Sequence, residues 1–162
     1  HGHTAAAARW LEPLVATPIT SPSDTSLAAA LLDGDVESAA GRWDNARQLY
    51  AAGLASHPGN SDLLGRLGTT AVHLGDSTAA RRFDRILAHL APKYQFGRQT
   101  YARARIAAVL GDKAGAVGLL RTAWVEGRPI AFDNLENEDV HSDPEFESLR
   151  DYFPFQLLLR TD

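Results

Sequence analysis

The fold is decided by residues 34–92, whose sequence is GDVESAAGRWDNARQLYAAGLASHPGNSDLLGRLGTTAVHLGDSTAARRFDRILAHLAP. Within this stretch the same spacing of glycine, alanine and proline occurs twice, offset by 34 residues. The recurring pairs are Gly34 and Gly68, Gly41 and Gly75, Ala46 and Ala80, and Pro58 and Pro92. An internal period of that length is typical of helix-turn-helix units that stack side by side. The period therefore predicts a binding surface rather than a reaction centre.

Each copy of the period predicts one hairpin, made of a first helix A and a second helix B. A third hairpin follows slightly out of step, because its turn glycine Gly111 lies 36 residues after Gly75. The apolar periodicity predicts helices at 26–40 and 45–56, at 61–74 and 78–90, and at 97–110 and 114–126. The corresponding repeat units are 26–60, 61–94 and 95–127.

Small residues at one position of every helix B predict close packing between the two helices of a hairpin. These residues are Ala46, Ala80 and Ala116, each five residues after a turn glycine. A larger side chain there would force the helices apart. The bulky Tyr50 and Phe83 are expected to pack against helix A of the following hairpin.

Two segments of the period resemble the tetratricopeptide repeat. They are GRWDNARQLYAAGLASHPGN at 41–60 and LGTTAVHLGDSTAARRFDRILAHLAP at 67–92. The resemblance rests on the Leu67-Gly68 pair, the turn glycines, the small alanines of helix B, the aromatic Tyr50 and the closing prolines. It covers roughly residues 26–127.

The resemblance implies an all-α fold: an α-solenoid of about three helix-turn-helix repeats in a right-handed superhelix, with an N-terminal helix and C-terminal capping helices. The A helices line the inner wall of such a superhelix. The sequence departs from the family at Asp33, where leucine is preferred, at Gly53, where alanine is preferred, and at Arg103-Ala104, which replaces the Leu-Gly pair. The first and third repeats are therefore divergent.

Six residues of the A helices are candidates for ligand binding on the inner wall. They are Arg66, Thr69, His73, Arg98, Tyr101 and Arg105. A basic, hydrogen-bonding wall favours an acidic peptide or a terminal carboxylate, so the expected function is a non-catalytic module that binds a peptide or partner protein. The alternative is that these are ordinary surface residues. The Lys and Asn pair with which some family members clamp a C-terminal carboxylate is absent, since Leu31 and Asp35 occupy the comparable positions.

The ends of the chain do not follow the period. Residues 1–25 are expected to form a leading helix and a Pro/Ser/Thr-rich connector, and residues 128–162 an acidic loop and a capping tail. Asp143 before Pro144 predicts a helix start, and the apolar residues after it are expected to cover the end of the stack. The tail resembles the segment that closes such repeats in many multidomain bacterial proteins, including signalling kinases.

Charge is unevenly distributed along the chain. Residues 81–105 hold seven bases and one acid, whereas residues 133–151 hold eight acids and one base. One interpretation is two solvated faces, with or without contact between them within one molecule. The alternative is head-to-tail association of copies, which would make the chain a self-assembling structural subunit in a ring or filament.

Composition argues against several other classes of function. The chain has no cysteine and a net charge of −4, which excludes disulfides and disfavours a nucleic-acid partner, and no apolar run is long enough for membrane insertion. His1 and His3 are a weak candidate for metal binding, and a processing remnant is the preferred interpretation. The acidic cluster at 133–139 lacks the spacing of a calcium loop.

No catalytic motif and no cofactor motif is present, so we expect no enzymatic activity and no cofactor. The chain also lacks methionine, even at its start, which predicts a processed protein or a fragment of a larger one. Cytoplasmic and exported locations remain open.

Overall fold

A computed structural model describes residues 26–90, 96–128 and 140–160 of the chain. In these ranges the regular structure is entirely helical, which confirms the predicted all-α class. The helices are α1 (Leu27–Ala39), α2 (Trp43–Ser56), α3 (Ser61–His73), α4 (Ser77–His89), α5 (Arg98–Val109), α6 (Lys113–Val125), a 3-10 helix (Pro144–Leu149) and α7 (Phe153–Leu158). The leading helix and connector predicted at 1–25, and the acidic cluster at 133–139, lie outside the described residues.

The helices pair in sequence order, as an α-solenoid requires. The hairpins are α1 with α2, α3 with α4, and α5 with α6, and each hairpin packs on the next. The helix bounds agree with those predicted to within two residues. We call the surface formed by α1, α3 and α5, the first helices of the three hairpins, the A-helix face.

The three turns inside the hairpins share one backbone motif. Gly41, Gly75 and Gly111 have φ angles of 70°, 82° and 85°, which only glycine adopts without strain. In each turn the glycine N–H and the following N–H donate back to the end of the preceding helix, as Gly75 does to Val72 and Asp76 to Ala71. Asp76 and Asp112 then cap the next helix with their side chains. The turn conformation therefore requires glycine at positions 41, 75 and 111.

Small residues allow close approach of the helices, as predicted. Ala46, Ala80 and Ala116 are fully buried. The Tyr50 ring packs over Gly34 of α1 in its own hairpin, a contact that the sequence did not predict. A side chain at position 34 would overlap the ring, which explains why glycine occupies it.

Two apolar clusters fill the interior. The first lies between the first two hairpins and reaches Ala102 and Ile106 on one side of α5. The second joins the other side of α5 to α6, the 3-10 helix and α7 through residues such as Leu120, Phe146 and Phe155. The C-terminal helices thus bury one side of the third hairpin. None of the helices in the described ranges has the length and apolar content needed to cross a bilayer.

Candidate protein-interaction site

The C-terminal segment lies on the A-helix face. The 3-10 helix packs against α5, and the Ser148 hydroxyl donates a hydrogen bond of 3.2 Å to the Ala108 carbonyl. We call Asp143, Pro144, Glu145 and Phe146, which begin this helix, the DPEF segment. Asp143 caps it by accepting a 3.0 Å hydrogen bond from the Glu145 N–H, and Pro144 has a φ suited to the first turn.

Asp143 is the most enclosed acid of the site, at 4% exposure. Its Oδ2 accepts a 2.9 Å hydrogen bond from the Tyr101 hydroxyl and lies 3.2 Å from Nε of Arg105. The Arg105 side chain is itself 12% exposed. A buried carboxylate is tolerated only when it is paired and hydrogen-bonded, and Tyr101, Arg105 and the capped N–H together meet that condition.

Glu145 contacts the second hairpin. Its Oε2 lies 3.4 Å from Nε2 of His73, and the His73 ring stacks on Trp43 with centroids 3.8 Å apart. Burial by itself raises the pKa of Glu145. The hydrogen bonds with His73 and Thr69 and the nearby charge of Arg105 outweigh that effect, so the pKa lies below its ordinary value. The carboxylate is therefore stabilised in its charged form by the A-helix face.

Phe146 anchors the DPEF segment through its ring. It is fully buried and meets the Tyr101 ring edge-on, at an interplanar angle of 84° and a centroid separation of 5.5 Å. The Arg128 guanidinium lies 4.3 Å from the centroid of the same tyrosine ring. Edge-on aromatic pairs and cation–π contacts each add to the energy of burial. Tyr101 therefore contacts the segment through both its hydroxyl and its ring.

Four of the six predicted wall residues meet the DPEF segment: Thr69, His73, Tyr101 and Arg105. The other two form ion pairs elsewhere. Arg66 is buried and donates two hydrogen bonds to Asp35, at 2.6 and 2.9 Å, and Arg98 donates one of 3.1 Å to Asp62. The structure therefore does not bring all six together.

The remaining predicted feature is the pairing of opposite charges. The acids of the tail and the basic side chains of the repeats are in contact within one molecule, through Asp143 and Arg105. The sequence indicated Asp143 only as a helix cap, and it did not indicate the contacts of Asp143, Glu145 and Trp43 on the A-helix face. The uneven charge distribution was the available signal.

No group of three or more His, Asp or Glu side chains in the described ranges could hold a metal ion. His1 and His3 lie outside those ranges. The site is thus a polar and aromatic surface.

Comparison with known proteins agrees with this architecture. A family model described as a tetratricopeptide repeat matches residues 38–106, which run from the end of α1 into α5. No curated protein and no solved structure gives a significant match to the chain. Since the matched segment has the paired helices and recurring glycine turns described above, residues 38–106 belong to the tetratricopeptide repeat family.

Proposed function

We propose that this chain is a protein-interaction module whose A-helix face binds an acidic segment of a partner protein. Tetratricopeptide repeats are in general protein–protein interaction modules, and the family is in general a non-catalytic scaffold. The proposal adds the surface and the charge of the partner.

The observation that carries the proposal is the pairing at Arg105. This cation and the Tyr101 hydroxyl, both on α5, hold a buried carboxylate of the chain itself. His73 on α3 contacts a second carboxylate, Glu145. A surface that holds two carboxylates of its own chain, one of them through an ion pair with Arg105 and a hydrogen bond from Tyr101, has the charge and the donor that an acidic partner segment needs.

The test is titration of isotope-labelled full-length chain with short acidic, neutral and basic peptides, followed by amide chemical shifts. We expect acidic peptides to shift amides of α3 and α5, and we expect Arg105→Ala to reduce the shifts. Arg81→Ala is the matched control, because Arg81 is an exposed cation on α4, away from the A-helix face. Shifts confined to α2, α4 and α6, or equal responses to basic peptides, would contradict the proposal.

Self-assembly is the second candidate function, and one observation favours it. Apolar side chains are exposed at both ends of the described stack, with Leu32 and Val36 on α1 at 66% and 55% exposure, and Phe153 on α7 at 65%. The attraction between the acidic tail of one copy and the basic middle of another gives self-assembly less support, since Asp143 and Glu145 already contact Arg105 and His73 within the molecule. An end-to-end apolar contact is the form of self-assembly that these exposures support.

A further inference from the structure

We propose that the A-helix face selects partner segments with the pattern acid, any residue, acid, aromatic, and that the DPEF segment of this chain is their resident competitor. This inference rests on the proposed function and specifies its partner and its regulation. It is carried by the contacts of Asp143, Glu145 and Phe146.

The two acids of the segment are held by different repeats. Asp143 contacts Tyr101 and Arg105 on α5, whereas Glu145 contacts His73 on α3. One intervening residue, in a turn capped by the first acid, separates the two carboxylates. A segment with a single acid, or with acids adjacent in sequence, would satisfy only one of these two repeats.

The aromatic position is selected by Tyr101. The Tyr101 hydroxyl donates a hydrogen bond to Asp143, and the Tyr101 ring packs at 84° to the ring of Phe146, which is fully buried. Replacing the aromatic residue by a small one would leave a cavity beside Tyr101, with the loss of affinity that a cavity causes. Acid and aromatic are therefore recognised together by one side chain.

The DPEF segment competes with a partner because it buries the groups that the partner would contact. Thr69 and Tyr101 are 2% and 3% exposed, and the Arg105 side chain is 12% exposed, with the DPEF segment against them. A partner can contact these groups only after the resident segment has moved away. The apparent affinity for a partner is then reduced in proportion to the fraction of molecules whose face is open.

The experiment uses a fluorescent synthetic peptide with the sequence of residues 140–149, VHSDPEFESL, and the full-length chain. Its affinity is measured by anisotropy for the native chain and for two variants that weaken the resident segment, Asp143→Asn and Glu145→Gln. Glu147→Gln is the matched control, because Glu147 is exposed and pairs with Arg150 inside the tail. A second peptide has its three acids replaced by amides, and circular dichroism checks that each variant is folded.

We expect the acidic peptide to bind the two weakened variants ~10-fold more tightly than the native chain or Glu147→Gln, and the amide peptide to bind none of them. In the native chain, excess acidic peptide should increase amide hydrogen exchange at residues 143–149. Equal affinity for native and weakened chains would overturn the competition and leave the acidic-partner function standing. The double variant Asp143→Asn/Arg105→Ala tests the proposed function itself. If it binds the acidic peptide as tightly as Asp143→Asn does, the proposed function is overturned as well.

Discussion

Asp143 and Arg105 form an ion pair that is almost fully enclosed, with side-chain exposures of 3% and 12%. Such a pair is sensitive to the loss of either partner, because the remaining charge stays buried and loses its nearest opposite charge. The Tyr101 hydroxyl and the Glu145 N–H also donate hydrogen bonds to the carboxylate of Asp143. At the scale of single residues, the attachment of the tail to the repeats therefore depends on this carboxylate.

Asp143→Ala is expected to lower the free energy of unfolding by about 3–5 kcal/mol, because it removes the enclosed carboxylate that pairs with Arg105 and accepts a hydrogen bond from Tyr101. Urea denaturation monitored by circular dichroism measures the change. Glu147→Ala, which removes an exposed acid of the same helix, should stay within about 0.5 kcal/mol of the native chain. Equal losses in the two variants would show that the Asp143 contacts do not stabilise the fold.

Glu145 predicts a pH dependence with a definite sign. Its pKa in the folded chain lies below the ordinary value of 4.5, so its contribution to stability is present above about pH 4.5 and is lost as the pH falls through the folded pKa. Urea unfolding at pH 6 and pH 3 should show a larger loss for the native chain than for Glu145→Gln. Parallel losses in the two chains would contradict this assignment.

The hairpins are stabilised by close helix packing as well as by their turns. Gly53 in α2 faces Ala30 of α1, and a Cβ built at Gly53 would lie 2.5 Å from the Ala30 Cβ and 3.3 Å from a methyl group of Leu63. The family prefers alanine at this position, and the close approach of α1 explains why glycine occupies it here. At the scale of elements, this position fixes how closely the first hairpin packs.

The same substitution at two helical glycines is expected to have opposite effects. Gly53→Ala should destabilise the chain by about 1–3 kcal/mol, because the added methyl overpacks the contact with Ala30. Gly118→Ala in α6 should stabilise it by about 0.5–1 kcal/mol, because a Cβ there meets nothing within 4 Å and alanine favours helix. Thermal and urea unfolding measure both changes. A stabilising Gly53→Ala would contradict the packing described for the first hairpin.

Local features of the sequence predicted the elements well. A turn that needs positive φ is specified by its own glycine, so Gly41, Gly75 and Gly111 could be identified without any tertiary information. Contacts between distant residues could not be identified in this way. Tyr101 and Asp143 are 42 residues apart, and no local rule relates their positions.

The whole molecule combines a repeat stack with a tail that returns to it. The resemblance to the tetratricopeptide repeat implied that Thr69, His73, Tyr101 and Arg105 lie on one wall, and the structure brings all four to the DPEF segment. The occupant of that wall was not predicted, because the path of the chain after α6 has no period from which it could be inferred. Under the proposed function, recognition of a partner depends on the stack and the tail together.

Self-association, where it occurs, is expected to be apolar rather than ionic, because the exposed end residues are Leu32, Val36 and Phe153. Sedimentation velocity over a wide concentration range should then show oligomers that high salt does not dissociate. Leu32→Asp should reduce their amount. Association that high salt abolishes would instead indicate an ionic contact between copies. A monomer at every concentration would dismiss self-assembly as a function.

The central claim is that the DPEF segment covers the A-helix face within a single chain until an acidic partner replaces it. The most direct test is the nuclear Overhauser contact between the rings of Phe146 and Tyr101, whose centroids are 5.5 Å apart. The account predicts cross-peaks that persist on dilution and weaken when excess VHSDPEFESL peptide is added. Their absence from the native chain, or their persistence while the bound peptide contacts Arg105, would contradict it.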